Sequence, residues 1–245
     1  MTDPLAPLLD LPGVADAVRL ARESVAVVHR HPTNRRGWPA TSAEASVRAA
    51  RASAVLDGGD PEIPEEGGVT DPVTAGALRV AEALGPLLST WERAPMQALA
   101  RLHVLAAADL GAEDSALGRP REGLGVASRL DLLAGLVAGG SKAPGPVLSA
   151  VVHGELLALR PFGTADGVVA RAAARLTTIQ TGLDPKGLAV PEVFFMRRAE
   201  RYREAADGFA GGGPEGVAAW IVFCCEALEA GAKEATGIAE AAVTQ

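Results

Sequence analysis

The residues best placed to do chemistry lie between His153 and Gly182, in HGELLALRPFGTADGVVARAAARLTTIQTG. A mostly apolar helix is expected to break at Arg160-Pro161-Phe162-Gly163. Proline disfavours helical geometry at the residue before it, and the glycine loosens the turn. A second helix is expected from about Ala165 to Thr181, capped by Thr164 or Asp166. The amides of Gly163, Thr164, Ala165, Asp166 and Gly167 then converge at a helix N-terminus, a place suited to an anion or phosphate. Arg160 and Arg171 flank that place and add positive charge. The Asp166 carboxylate, folded onto the amides of residues 165–167, is the other candidate occupant. A plain helix-turn-helix corner with no ligand fits the same spacing.

The order of helix, turn, Pro-Phe, small residues and an arginine-bearing helix resembles the core motif of the Fic (Fido) family, His-Pro-Phe-x-Asp/Glu-Gly-Asn-Gly-Arg-x-x-Arg. Laid without gaps on Arg160 to Arg171, the pattern agrees at Pro161, Phe162, Gly167 and Arg171. Arg160 stands in the place of the catalytic histidine and Thr164 in that of the metal-binding carboxylate. Ala165 replaces a glycine, Asp166 the asparagine and Val168 the first arginine. A second stretch, Ser53-Ala54-Val55-Leu56-Asp57-Gly58, resembles the family's inhibitory helix, Ser/Thr-x-x-x-Glu-Gly/Asn, with Asp57 for the glutamate. The resemblance implies that Asp57 pairs with Arg171. Trp220 and Phe223 resemble the Trp-x-x-Phe that ends the family's core. The likeness spans roughly Trp91 to Ala239, plus the helix that carries Asp57.

Active Fic proteins transfer AMP from ATP to a protein hydroxyl, so the resemblance implies a need for a base, a metal ligand and phosphate contacts. A neutral imidazole is a good base near pH 7. Arg160 cannot replace it, because a guanidinium stays protonated. The Thr164 hydroxyl is a poor ligand for a hard divalent cation. A carboxylate at Asp166 repels phosphate, and Val168 removes a phosphate-binding arginine. The expectation is a catalytically degenerate Fic-like protein with a binding or regulatory role, held together by Asp57 and Arg171. The alternative is a phosphometabolite- or nucleotide-binding enzyme of altered phosphoryl or nucleotidyl transfer chemistry, using Arg160, Arg171 and the loop amides. An unrelated helical repressor is the third reading, and no basic recognition helix supports it.

The elements that must position these residues read as all-α: a Fic-like helical bundle with an N-terminal helical extension. Residues 1–90 form the extension, with the inhibitory-like helix at 41–58, and residues 91–245 form the core. The chain has 245 residues, 48% of them hydrophobic and only 4% aromatic, so helices packed through alanine and leucine are expected. Within the extension, Val14 to Val28 is one helix. His29 to Pro39 is a loop whose histidines have no partner nearby in sequence, and Trp38 plugs the core edge. A helix from Ala40 to Gly59 is capped by Thr41 or Ser42, with Thr41 and Glu44 as a capping box. Asp60 to Thr70 is a linker.

Asp71 caps a helix with Pro72 in its first turn, Val73 to Leu88, and Thr90 caps the next, Trp91 to Leu110, antiparallel to it. On that helix His103 reads as a polar residue and not as a base. Residues 111–126 stand where the family has a flap hairpin. No strand alternation appears there, though Arg119 and Arg121 could face the anion place. In the helix before the motif, His153 falls on a polar side. Glu192 to Phe209 is a helix with surface arginines, and Val217 to about Ala239 is the last helix.

The formal charge is −7, and the 23 basic residues are scattered, which argues against nucleic acid as a partner. No apolar run is long enough to span a bilayer, and no leader pattern is evident. Cys224 and Cys225 are adjacent and give no zinc spacing. A bacterial, cytoplasmic protein is expected, with no metal and no cofactor beyond a phosphate or nucleotide. Its partner would be a protein or a small anionic ligand, and a homodimer is compatible with the sequence.

Overall fold

The structure, a computed structural model, describes residues 3–243 apart from 65, 67, 112 and 114. Every regular element among the described residues is helical. The α-helices are α1 (Val14–Arg30), α2 (Pro32–Arg36), α3 (Trp38–Leu56), α4 (Pro72–Arg93), α5 (Pro95–Ala107), α6 (Val126–Gly135), α7 (Gly145–Leu159), α8 (Asp166–Gln180), α9 (Pro191–Arg197), α10 (Ala199–Ala210) and α11 (Pro214–Ala241). None of the described helices is long and apolar enough to cross a membrane.

The centre of the bundle is α7 against α8, with α10 and α11 packed on α7 and α4 and α5 on α8. Buried side chains occur all round α7, including Val147, Leu148, Val151, Val152, Leu156 and Leu159, as expected of a helix enclosed on every side. His153 follows them into the core instead of lying on a polar side. It is buried beside Phe195, Tyr202 and Trp220. Gly154 makes the close packing there possible, since a Cβ would run into the Phe209 ring and the Trp220 indole. The Trp220 Nε1–H donates to the Ala150 carbonyl at 2.7 Å.

The N-terminal part shares this core. The apolar residues of α1 recur every three or four positions, at Val14, Val18, Ala21, Val25 and Val28, and all are buried. That stripe lies along α11. α3 is fixed from its other side by α4 and α9, and this places its C-terminus beside the start of α8.

Several local expectations are corrected. The stretch expected as a loop at 29–39 contains α2, and α3 already begins at Trp38. The buried Asn34 amide donates to the Val28 carbonyl and accepts the Thr41 hydroxyl at 2.8 Å. Neither Thr41 nor Ser42 therefore caps α3, and Glu44 pairs with Arg48 instead of closing a capping box. Trp38 is partly exposed under the Lys186 ammonium and does not plug the core. His29 gains an acidic partner from far along the chain, bonding the buried Asp184 carboxylate at 2.8 Å.

Asp71 does cap α4, accepting the Thr74 amide at 2.7 Å. That helix continues past Pro86 to Arg93, so Thr90 starts nothing. Pro86 lies on the exposed face, where water can take the carbonyl that proline leaves without a donor. The single helix expected over 192–209 is broken at Arg198 (φ −130°, ψ 42°) into α9 and α10.

Candidate functional site: the turn between α7 and α8

The turn is built by left-handed residues. Arg160 ends α7 at φ 45°, Gly163 has φ 76°, and Ala165 has φ 51°. Only glycine takes such angles without steric cost, so two of the three carry strain that the surroundings must hold. Those surroundings are visible. The Arg121 guanidinium donates to the Leu159 and Arg160 carbonyls at 2.8 and 2.9 Å, and its own amide donates to the Pro161 carbonyl. Arg121 is thus committed to the end of α7 and does not face the anion place. Below the turn, the Phe162 ring stacks on His103 at 4.2 Å and 6°.

Neither expected cap serves α8. Its N-cap is Ala165, with no side-chain bond. The Thr164 hydroxyl meets His103 Nε2 at 3.0 Å. Asp166 reaches backwards, its Oδ1 accepting the Phe162 amide at 2.9 Å instead of the amides of 165–167. Its Oδ2 is buried with no hydrogen-bond partner among the described residues. Burial raises the Asp166 pKa above its usual value, opposed by the Phe162 and Gly163 amides, Arg160 and Arg121.

The carboxylate that does reach the start of α8 comes from the end of α3. Asp57 Oδ2 accepts the Val168 amide at 3.0 Å, and Asp57 Oδ1 lies 2.9 Å from Arg171 Nη2. This is a carboxylate on a helix N-terminus, held there by the Val168 amide and the positive end of the dipole. Gly167 is required for the approach, because a Cβ there would collide with the Asp57 carboxylate.

Arg171 is buried, and each of its three guanidinium nitrogens is bonded. Besides Asp57 it donates to the Ser53 hydroxyl at 2.7 Å, the Ser53 carbonyl at 3.0 Å and the Tyr202 hydroxyl at 3.3 Å. Burial alone would lower its pKa, but Tyr202 and Asp57 outweigh it and the guanidinium stays charged. The Tyr202 hydroxyl lies 2.8 Å from His153 Nε2. Burial pushes the tyrosine up to about 12 and holds the histidine well below its usual pKa, with Arg171 adding to the second effect. The neutral forms of both are therefore the resident ones at neutral pH.

Above this assembly opens a cleft of about 510 Å³. Asp57, Arg160, Gly163, Ala165, Asp166, Gly167 and Arg171 all line it, together with Arg203 from α10. Thr164 is turned to His103. The Arg160 side chain makes no hydrogen bond or ion pair with other described residues, and the residue is exposed. Among the described residues, no group of three His, Cys, Asp or Glu side chains comes together as a metal site.

No family model and no curated protein sequence matches the chain. Solved structures do. A Fic family protein from Desulfovibrio desulfuricans G20 superposes with a TM-score of 0.67 at 19% identity, covering 92% of this chain and 74% of that one. Residues 134–508 of Fic-1 from C. elegans superpose with a TM-score of 0.66 at 14% identity, covering 98% of this chain and 75% of that one. The chain has a Fic-type fold. At these identities the likeness establishes architecture, and the chemistry rests on this chain's own side chains.

Within the Fic-type fold, sequence reasoning missed four contributors. Ser53 holds Arg171 through both its hydroxyl and its carbonyl. Tyr202 and His153 extend the network into the core. His103 enters from α5 to support Phe162 and Thr164. Ser53 lies in the inhibitory-like motif, so its presence was a usable signal. Nothing in the spacing of His103, 57 residues before Arg160, announces its contact with the turn.

Proposed function

We propose that this chain is a catalytically degenerate Fic-type protein whose bundle serves a binding or regulatory role. The observation that carries the reading is the Asp57 carboxylate, bonded to the Val168 amide in the first turn of α8 and to Arg171, where a phosphate would otherwise find both. With Arg160 at the base position of the motif, nothing there can accept a proton from an attacking hydroxyl. With Thr164 bonded to His103, no carboxylate stands at the metal position. The contact between α3 and α8 then acts as a structural clasp, with residues 1–90 as the extension that supplies it.

The test is adenylyl transfer from ATP with magnesium, to the protein itself and to proteins of a bacterial lysate. No transfer is expected, and none after Arg160→His alone, because Thr164 and Val168 remain. Transfer that disappears with Arg171→Ala would overturn the reading. The unengaged Arg160 guanidinium on an open cleft favours one second reading, a phosphometabolite- or nucleotide-binding enzyme. Saturable binding of ATP or inorganic phosphate to the wild-type chain, weakened by Arg160→Ala, would move the conclusion to that reading.

A further inference from the structure

His103 is buried under the turn, and no chemistry considered above uses it. The Gly118 amide donates to its Nδ1 at 2.9 Å. An N–H aimed at Nδ1 requires a lone pair there, so the single proton of the neutral ring sits on Nε2. That Nε2–H donates to the Thr164 hydroxyl at 3.0 Å. His103 is therefore a joint between α5, the turn and the strap of residues 115–125. Gly118 suits the joint, taking φ 73° where a Cβ would press on the Ala100 carbonyl and Val104. The strap has a second tie at Arg121, through the carbonyls of Leu159, Arg160 and Pro161.

We propose that His103 is a proton-operated latch that holds the Gly118 end of the strap against the α7–α8 turn. Protonation places an N–H on Nδ1, facing the Gly118 N–H, and two donors cannot bond. The Thr164 contact survives, because Nε2 remains a donor. The Arg121 tie runs to backbone carbonyls and does not involve the imidazole, so it stays and only the Gly118 end lifts. The charged groups on the surrounding elements are Asp166, Arg160 and Arg171 around the turn, Arg119, Arg121 and Glu122 in the strap, Arg129 and Asp131 on α6, and Arg79, paired with Asp109. Arg101 lies on α5 itself. None bonds the ring, and the influences on its titration are burial, which lowers its pKa, and the Thr164 backbone, which raises it. The closed latch thus prefers the neutral ring. Opening is disfavoured at neutral pH and grows as pH falls below the ordinary histidine value of 6.5, levelling off at the lower pKa of the closed form.

Amide hydrogen exchange and imidazole nitrogen shifts, measured by NMR on the whole chain and corrected for the intrinsic pH dependence of exchange, test this. The expected result is an Nε2–H tautomer at pH 7.5 and a loss of Gly118 protection that approaches tenfold per pH unit below about 6.5 and levels off where the nitrogen shifts report ionisation of the His103 ring. Buried amides of α5 should keep their protection over the same range. His103→Phe keeps a ring against Phe162 and removes both hydrogen bonds. Gly118 should then exchange fast at every pH. An Nδ1–H tautomer, or Gly118 protection indifferent to His103, would overturn the latch. If His103→Phe does not fold, the wild-type tautomer and exchange profile still decide.

Discussion

Removing the Asp57 carboxylate should loosen α3 from α8 by an amount the contacts allow one to work out. Asp57 makes one charge-assisted bond to Arg171 and one to the Val168 amide. Arg171 is 3% exposed and Asp57 24%, so the ion pair falls between the surface and interior cases. A hydrogen bond between charged groups contributes about 1.5–3 kcal/mol, and the partial exposure of Asp57 argues for about 2. The lost bond to the helix N-terminus adds about 1 kcal/mol. Asp57→Ala should therefore cost about 3 kcal/mol. Arg171→Ala leaves Asp57, Ser53 and Tyr202 without their donor and should cost about 4 kcal/mol. The double variant should lose about 5 kcal/mol instead of the ~7 of simple addition, a coupling of about 2. Urea unfolding of the four proteins at equal protein concentration gives these values. The coupling should survive high salt, because much of the pair lies out of reach of screening. A coupling below about 0.5 kcal/mol would refute the clasp, since independent residues add to within that margin.

Two further outcomes follow from the packing and charge of the turn. Asp166 has its pKa raised by burial, so the stability it lends is present below the carboxyl's ordinary value and is lost as pH rises through the raised one. Asp166→Asn, which can still accept the Phe162 amide, should raise the urea midpoint at pH 7 and have little effect near pH 3; an unchanged or lowered midpoint at pH 7 would contradict the burial argument. Gly154→Ala should destabilise by about 1–3 kcal/mol through overpacking against Phe209 and Trp220. Thermal unfolding with a midpoint at or above that of the wild type would show that the rings can yield.

Much of the architecture was legible in the chain. Apolar residues at helical spacing mark α1, Asp71 and Pro72 announce α4, and Pro161 with Gly163 marks the turn between α7 and α8. Asp57 and Arg171 were readable as partners only through the family likeness, since 114 residues separate them. The unreadable parts share a physical cause: side chains whose role is set by partners distant in sequence. Asn34 and Thr41 satisfy each other, so a stretch that looks like a loop with a helix cap becomes two helices. Asp184 recruits His29 across 155 positions. His103 and His153 look polar by type, and tertiary packing buries both. At the turn, local logic named Thr164 and Asp166 as caps, but Thr164 bonds His103 and Asp166 bonds the Phe162 amide, and the Val168 amide of α8 goes to Asp57 instead.

The central claim is that this site does not move an adenylyl group even when its clasp is opened. The direct measurement is transfer from ATP and magnesium by the Asp57→Ala protein, side by side with the wild type and with Asp57→Ala combined with Arg171→Ala. With Arg160 as the only group at the base position and no carboxylate at Thr164, none of the three should label itself or a lysate protein. Labelling by Asp57→Ala that vanishes in the double variant would show a working active site held in check, and would contradict the account.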